Sequence, residues 1–109
     1  MSPRFLSYGR HSITEDDIQV VIDTLKSDFL TQGPAIPRFE EDFRALTGAR
    51  HAVACSNGTA ALHLAALATK INPGDRALVA PLTFVASANC IRYAGGEVAF
   101  ADIDGETIT

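Results

Sequence analysis

The stretch Ala54-Cys55-Ser56-Asn57-Gly58-Thr59-Ala60-Ala61-Leu62 decides how the rest of this chain is read. Upstream of its small polar residues lies a short β-favouring run, residues 51–55. Downstream, an Ala- and Leu-rich segment over residues 59–69 begins at once. The pattern is strand, tight turn, helix. Gly58 lets the backbone approach a ligand closely, and Thr59 sets a hydroxyl at the helix start. Free backbone N–H groups and the positive end of the helix dipole suit such a turn to a phosphate. The same residues equally suit an ordinary strand-to-helix turn in which Asn57 or Thr59 caps the helix. On this stretch alone both readings stand.

Working towards the C terminus, Asn72-Pro73-Gly74-Asp75 makes a turn, and residues 77–80 form a short strand stopped by Pro81. Residues 84–93 then read as a helix ended by Gly95-Gly96, and residues 97–101 as a third strand. The order β-α-β-α-β, with strands apolar on both faces, predicts an α/β fold whose parallel sheet is covered by helices. Ligands in such sheets collect beyond the carboxyl ends of the strands. The turns at residues 57–59 and 81–84 both fall at that edge. No G-x-G-x-x-G follows any strand, so a dinucleotide fingerprint is not supported. The open sheet leaves apolar faces uncovered, which reads as the N-terminal piece of a larger protein and predicts poor solubility for the piece alone.

Towards the N terminus, residues 1–12 read as an extended arm. Thr14 is placed to cap a helix with Glu15, Asp16 and Asp17 in its first turn. Ile18, Val21, Ile22 and Leu25 recur at helical spacing and read as a stripe packed into a core. Residues 27–37 hold two prolines and a glycine and form a loop, and Phe29 and Leu30 on it are either a lid or a contact surface. A second helix spans residues 37–46 and stops at Gly48. The expected division is residues 1–50, an arm with two helices, and residues 51–109, the start of a larger ligand-binding domain.

Composition narrows the function. At 109 residues the chain is one domain at most. A net charge of −4 argues against a general nucleic-acid binder. There is no apolar run of membrane-spanning length and no signal-peptide pattern, so a cytoplasmic location is expected. Cys55 and Cys90 sit in apolar segments and read as buried thiols. His11, His51 and His63 lack metal spacing, and no metal is expected.

The motifs Tyr8-Gly9-Arg10, Leu30-Thr31-Gln32-Gly33-Pro34, Ser56-Asn57-Gly58-Thr59-Ala60-Ala61-Leu62, Pro73-Gly74-Asp75 and Pro81-Leu82-Thr83-Phe84-Val85-Ala86-Ser87-Ala88-Asn89 stand in a telling order. Phe100-Ala101-Asp102-Ile103-Asp104 continues it. Together they resemble the DegT/StrS-type nucleotide-sugar aminotransferases over essentially the whole chain. Within that family they most resemble the branch that makes UDP-4-amino-4,6-dideoxy-N-acetyl-β-L-altrosamine in pseudaminic acid synthesis.

The resemblance implies a fold-type I aminotransferase, pyridoxal 5′-phosphate (PLP) as cofactor, and a homodimer. It implies a UDP-linked 4-keto-6-deoxysugar as substrate, aminated at C4, with glutamate as donor. It assigns Gly58 and Thr59 to the cofactor phosphate, Phe84 to stacking on the pyridine ring, and Tyr8, Phe29, Leu30 and Thr31 to the sugar nucleotide. The family also needs a Schiff-base lysine and an aspartate at the pyridinium nitrogen. Lys26 and Lys70 do not stand in the family's lysine context, so no catalytic residue is assigned within this chain and the piece itself is expected to be inactive. Two alternatives remain. One is another aminotransferase or PLP-dependent dehydratase of the same family; the other is a non-catalytic truncated homologue that binds a partner subunit.

Overall fold

The computed structural model describes residues 9–107. Its element order is α1 (Glu15–Lys26), α2 (Ala35–Thr47), α3 (Gly58–Ala68), β1 (Arg76–Val79), α4 (Ala86–Tyr93) and β2 (Glu97–Phe100). Contacts divide the chain into Met1–Ala54 and Cys55–Thr109.

In the first unit, α1 starts on a reciprocal cap. The Thr14 hydroxyl accepts from the Asp17 N–H, while the Asp17 carboxylate accepts from the Thr14 N–H at 2.8 Å and from its hydroxyl at 2.8 Å. Helix α1 buries no residue. The apolar stripe expected to pack into a core is therefore open: Ile18, Val21 and Leu25 are exposed and Ile22 is only half-buried. Helical periodicity reports which face is apolar, and says nothing of what covers it. Helix α2 begins two residues earlier than expected and takes Pro37 into its first turn. A missing N–H costs nothing there, because the first turn's N–H groups have no intrahelical acceptor. It ends at Gly48, whose φ of 72° is left-handed.

In the second unit, β1 and β2 pair in parallel, with Arg76 opposite Glu97 and Val79 opposite Phe100. Helix α4 crosses over between them and packs on both strands and on α3. This is a β-α-β unit of the expected α/β kind. Residues 51–55, expected as a first strand, form no ladder among the described residues. A strand exists only with a partner for its N–H and C=O groups, and the Ala54 N–H is instead taken by the Glu40 carboxylate at 2.8 Å.

The small core of this unit is Ala66, Ala86 and Cys90, with Gly96 also buried. A Cβ at Gly96 would lie 2.6 Å from Ile71 Cγ2 and 3.0 Å from Ile91 Cγ2. The missing side chain is what lets the ends of α3 and α4 close together. Both helices finish on the same motif. Ile71 N–H bonds the Ala66 carbonyl and Lys70 N–H that of Leu67; Gly96 N–H bonds Ile91 and Gly95 N–H bonds Arg92. Lys70, at φ 59°, occupies the left-handed position that Gly95 fills in α4. Cys90 is buried as expected, but Cys55 is exposed, because the segment carrying it is packed under nothing in its unit.

Candidate functional site

Helix α3 begins at the decisive turn. Asn57 is its cap: the backbone is extended and the side-chain Oδ1 accepts from the Ala60 N–H at 2.9 Å. The Asn57 carbonyl accepts from the Ala61 N–H at 3.1 Å and from the Cys55 thiol at 3.4 Å. The side-chain Nδ2 donates to the Ser56 hydroxyl at 3.2 Å. Of the donors left over at the helix start, those of Gly58 and Thr59 have no partner among the described residues. The cap is neutral, and no acid stands in the first turn. The positive end of the dipole is therefore uncompensated. A Cβ built on Gly58 meets nothing within 4 Å, so the side-chain face of the helix start is open.

Phe84 lies in the turn beyond the carboxyl end of β1, just before α4. Its side chain is 73% exposed. A large aromatic ring held outside the core is available for stacking. The turn is fixed by the Ser87 N–H donating to the Phe84 carbonyl at 3.0 Å and by a hydrogen bond of 3.2 Å between the Thr83 and Ser87 hydroxyls. Sequence reading does not single out that hydroxyl pair, although its i, i+4 spacing around Phe84 is a usable signal. The C-terminal ends of α3 and α4 meet at Ile71 and Gly96, and both helices run from their N-terminal turns towards that junction.

The second unit thus holds Gly58 and Thr59 side by side and Phe84 at the start of the adjoining helix. Two adjacent free N–H groups, an open glycine and an exposed aromatic face fit a phosphorylated aromatic ring such as PLP.

The expected sugar-nucleotide residues belong to the first unit. Phe29 and Leu30 are 62% and 65% exposed, and Thr31 is exposed too. Phe29 lines a cleft of about 520 Å³ with Val20, Thr24, Pro34 and Phe39, whereas Leu30 and Thr31 do not reach it. The loop is held tightly. Gln32 is left-handed at φ 56°, and a Cβ on Gly33 would sit 2.7 Å from the Phe29 carbonyl oxygen. Tyr8 lies outside the described residues.

Lys26 closes α1, and Lys70 follows the C-cap Thr69 of α3, at the end away from Gly58. At 1.5 Å per residue the length of α3 puts Lys70 roughly 18 Å from the turn at Gly58, well beyond a lysine's reach. No group of three or more His, Cys, Asp or Glu residues suited to a metal occurs among the described residues, and no helix there is long and apolar enough to cross a membrane.

Comparison with known proteins gives the family. The chain is 46% identical over 104 residues to the spore coat polysaccharide biosynthesis protein SpsC of Bacillus subtilis, covering 95% of this chain and 27% of that protein. It is 39% identical over 108 residues to the UDP-4-amino-4-deoxy-L-arabinose–oxoglutarate aminotransferase of Shewanella sediminis, covering 99% and 28%. Among solved structures, the PLP-form of Spr1654 from Streptococcus pneumoniae superposes with a TM-score of 0.82 at 33% identity, over 89% of this chain and 25% of that one. Helicobacter pylori PseC, an aminotransferase involved in the biosynthesis of pseudoaminic acid, superposes with a TM-score of 0.81 at 29% identity, over 90% and 27%. The chain spans about a quarter of the length of the relatives it matches. The fold is that of PLP-dependent sugar aminotransferases, and PLP is the family's cofactor. Residues 11–109 match the model of the DegT/DnrJ/EryC1/StrS aminotransferase family, and the chain belongs to that family.

Proposed function

We propose that this chain provides the phosphate-holding and ring-holding part of an aminotransferase that aminates C4 of a UDP-linked 4-keto-6-deoxy-N-acetylhexosamine, as in pseudaminic acid synthesis. The observation that carries the reading is the pair of N–H groups at Gly58 and Thr59, without a partner among the described residues, at an uncompensated helix start beside an open glycine. The Gly58 and Thr59 N–H groups bind the phosphate, and the Thr59 hydroxyl adds a third donor. Phe84 orients the ring by covering one of its faces. Phe29, Leu30, Thr31 and Tyr8 hold the sugar nucleotide and exclude water from it. When bound, the cofactor supplies an electron sink for the transfer of the amino group.

Glutamate is the donor in this reading; the Shewanella relative's name pairs its amino sugar with oxoglutarate, the keto acid glutamate leaves behind. In this reading the lysine such chemistry requires comes from outside residues 1–109: neither Lys26 nor Lys70 stands in the family's lysine context, and the whole of α3 lies between Lys70 and Gly58. The working enzyme is a cytoplasmic homodimer in this reading. The piece by itself does not transfer amino groups.

The test is the full-length protein incubated with PLP, glutamate and the UDP-linked 4-keto sugar, with amino-sugar and oxoglutarate formation followed by mass spectrometry. Stoichiometric formation of both supports the reading. Turnover of a UDP-linked 4-keto pentose alone would overturn the sugar while leaving the reaction class. Loss of water from the sugar with no oxoglutarate formed would move the protein to the dehydratases of the family.

A further inference from the structure

Phe84 is exposed, and no ring contact holds it among the described residues. Its direction is therefore set by the backbone on either side. Helix α4 gives little help, because its N-cap is Val85, which offers no side-chain acceptor. What spans the turn is the hydrogen bond between Thr83 Oγ1 and Ser87 Oγ, 3.2 Å long, together with the Ser87 N–H on the Phe84 carbonyl at 3.0 Å. The two hydroxyls bracket Phe84 and tie the residue before it to the first turn of α4. An exposed hydroxyl pair adds little to stability, because water replaces either partner at small net cost. What the pair does is reduce the number of conformations open to the turn.

We infer that Thr83 and Ser87 are positioning residues, whose mutual hydrogen bond fixes the backbone around Phe84 and so places its ring over the bound cofactor. The inference rests on Phe84 being the stacking residue. A looser turn still folds, but it presents the ring over a range of positions, and part of the stacking is lost on each binding event.

The test uses the full-length protein and reads PLP dissociation by fluorescence and the induced circular dichroism of bound PLP. Ser87→Ala and Thr83→Val, which keep side-chain shape near the turn, each weaken PLP binding about 3- to 10-fold and diminish the dichroism. Thr83→Ser, which retains the hydroxyl, restores both. Thermal unfolding temperature stays within about 2 °C of the parent for all three, since the lost bond is exposed. In a Phe84→Leu background, Ser87→Ala adds no further loss, because the ring it positions is gone. Parent-like affinity and dichroism in Ser87→Ala would overturn the inference. So would an equal loss on the Phe84→Leu background, which would mean that Ser87 acts without the ring. If Phe84→Leu alone changes neither readout, the stacking role of Phe84 fails, and the inference fails with it.

Discussion

Helices α1 and α3 start by the same rule and end up with opposite electrostatics. Each is capped by a side-chain oxygen on a backbone N–H, Thr14 for α1 and Asn57 for α3. In α1, Glu15, Asp16 and Asp17 fill the first turn, and the Asp17 carboxylate folds back onto Thr14, so the helix neutralises its own dipole. In α3 the cap is an amide and the first turn is Gly58-Thr59-Ala60, with no charge at all. A helix start that brings its own acids has no room for a foreign anion; one that stays neutral keeps its donors for a ligand.

The sharpest way to break the comparison is to make α3 resemble α1. Asn57→Asp keeps a good cap and adds a negative charge beside the seat. A unit charge about 5 Å from a phosphate costs roughly 3 kcal/mol at an effective dielectric constant of 20. Allowing for solvent screening, PLP affinity should fall about 10- to 100-fold, with the thermal unfolding temperature retained or raised. An unchanged affinity would show that the anion does not sit at this helix start.

Gly58→Ala comes next. Nothing in the structure resists the added methyl group, so stability should hold, while on the proposed reading the methyl crowds the phosphate. Titration with PLP should show a loss of about 3- to 10-fold.

On the α1 side, Thr14→Ala removes the reciprocal cap. It should destabilise α1 by about 1 kcal/mol, visible as faster hydrogen exchange of the first-turn amides, and leave PLP affinity alone.

The smallest effect is on titration. The Thr14 N–H, followed by its hydroxyl, holds the Asp17 carboxyl below its ordinary value. With the folded pKa depressed, the stabilising contribution is fully present above the unfolded value of 3.8 and is lost as pH falls through the lower folded one. Carboxyl-observed NMR should give a midpoint below 3.8 in the parent and one moved back up in Thr14→Ala.

Local signals carried most of what was legible in the sequence. Thr14 and its acids announced α1, Gly48 ended α2, and the turn at residues 72–75 and Gly95-Gly96 bracketed the elements between them. Each is a short-range rule about φ angles and orphan N–H groups. Pairing and covering were illegible. Residues 51–55 have strand chemistry, but a ladder depends on a distant partner; the α1 stripe has core chemistry, but burial depends on what lies against it. Cys55 was misjudged for the same reason. At the candidate site, residue types pointed to Gly58 and Thr59, the family resemblance pointed to Phe84, and the structure adds which N–H groups Asn57 leaves free and that Thr83 and Ser87 join across Phe84.

The close approach at Gly96 also bears on how this sequence can drift. No smaller residue exists, so every substitution at position 96 adds atoms where Ile71 already stands 2.6 Å from a hypothetical Cβ. The nearest obstacle is the γ2 methyl of a β-branched side chain, which leucine does not have. Replacing Ile71 by leucine would remove only the first obstacle, because Ile91 Cγ2 at 3.0 Å and the Asp75 carbonyl oxygen at 3.3 Å still crowd a Cβ at this position. Position 96 is thus walled in by three separate segments, residues 71, 75 and 91, and an added methyl group there has to displace all three at once.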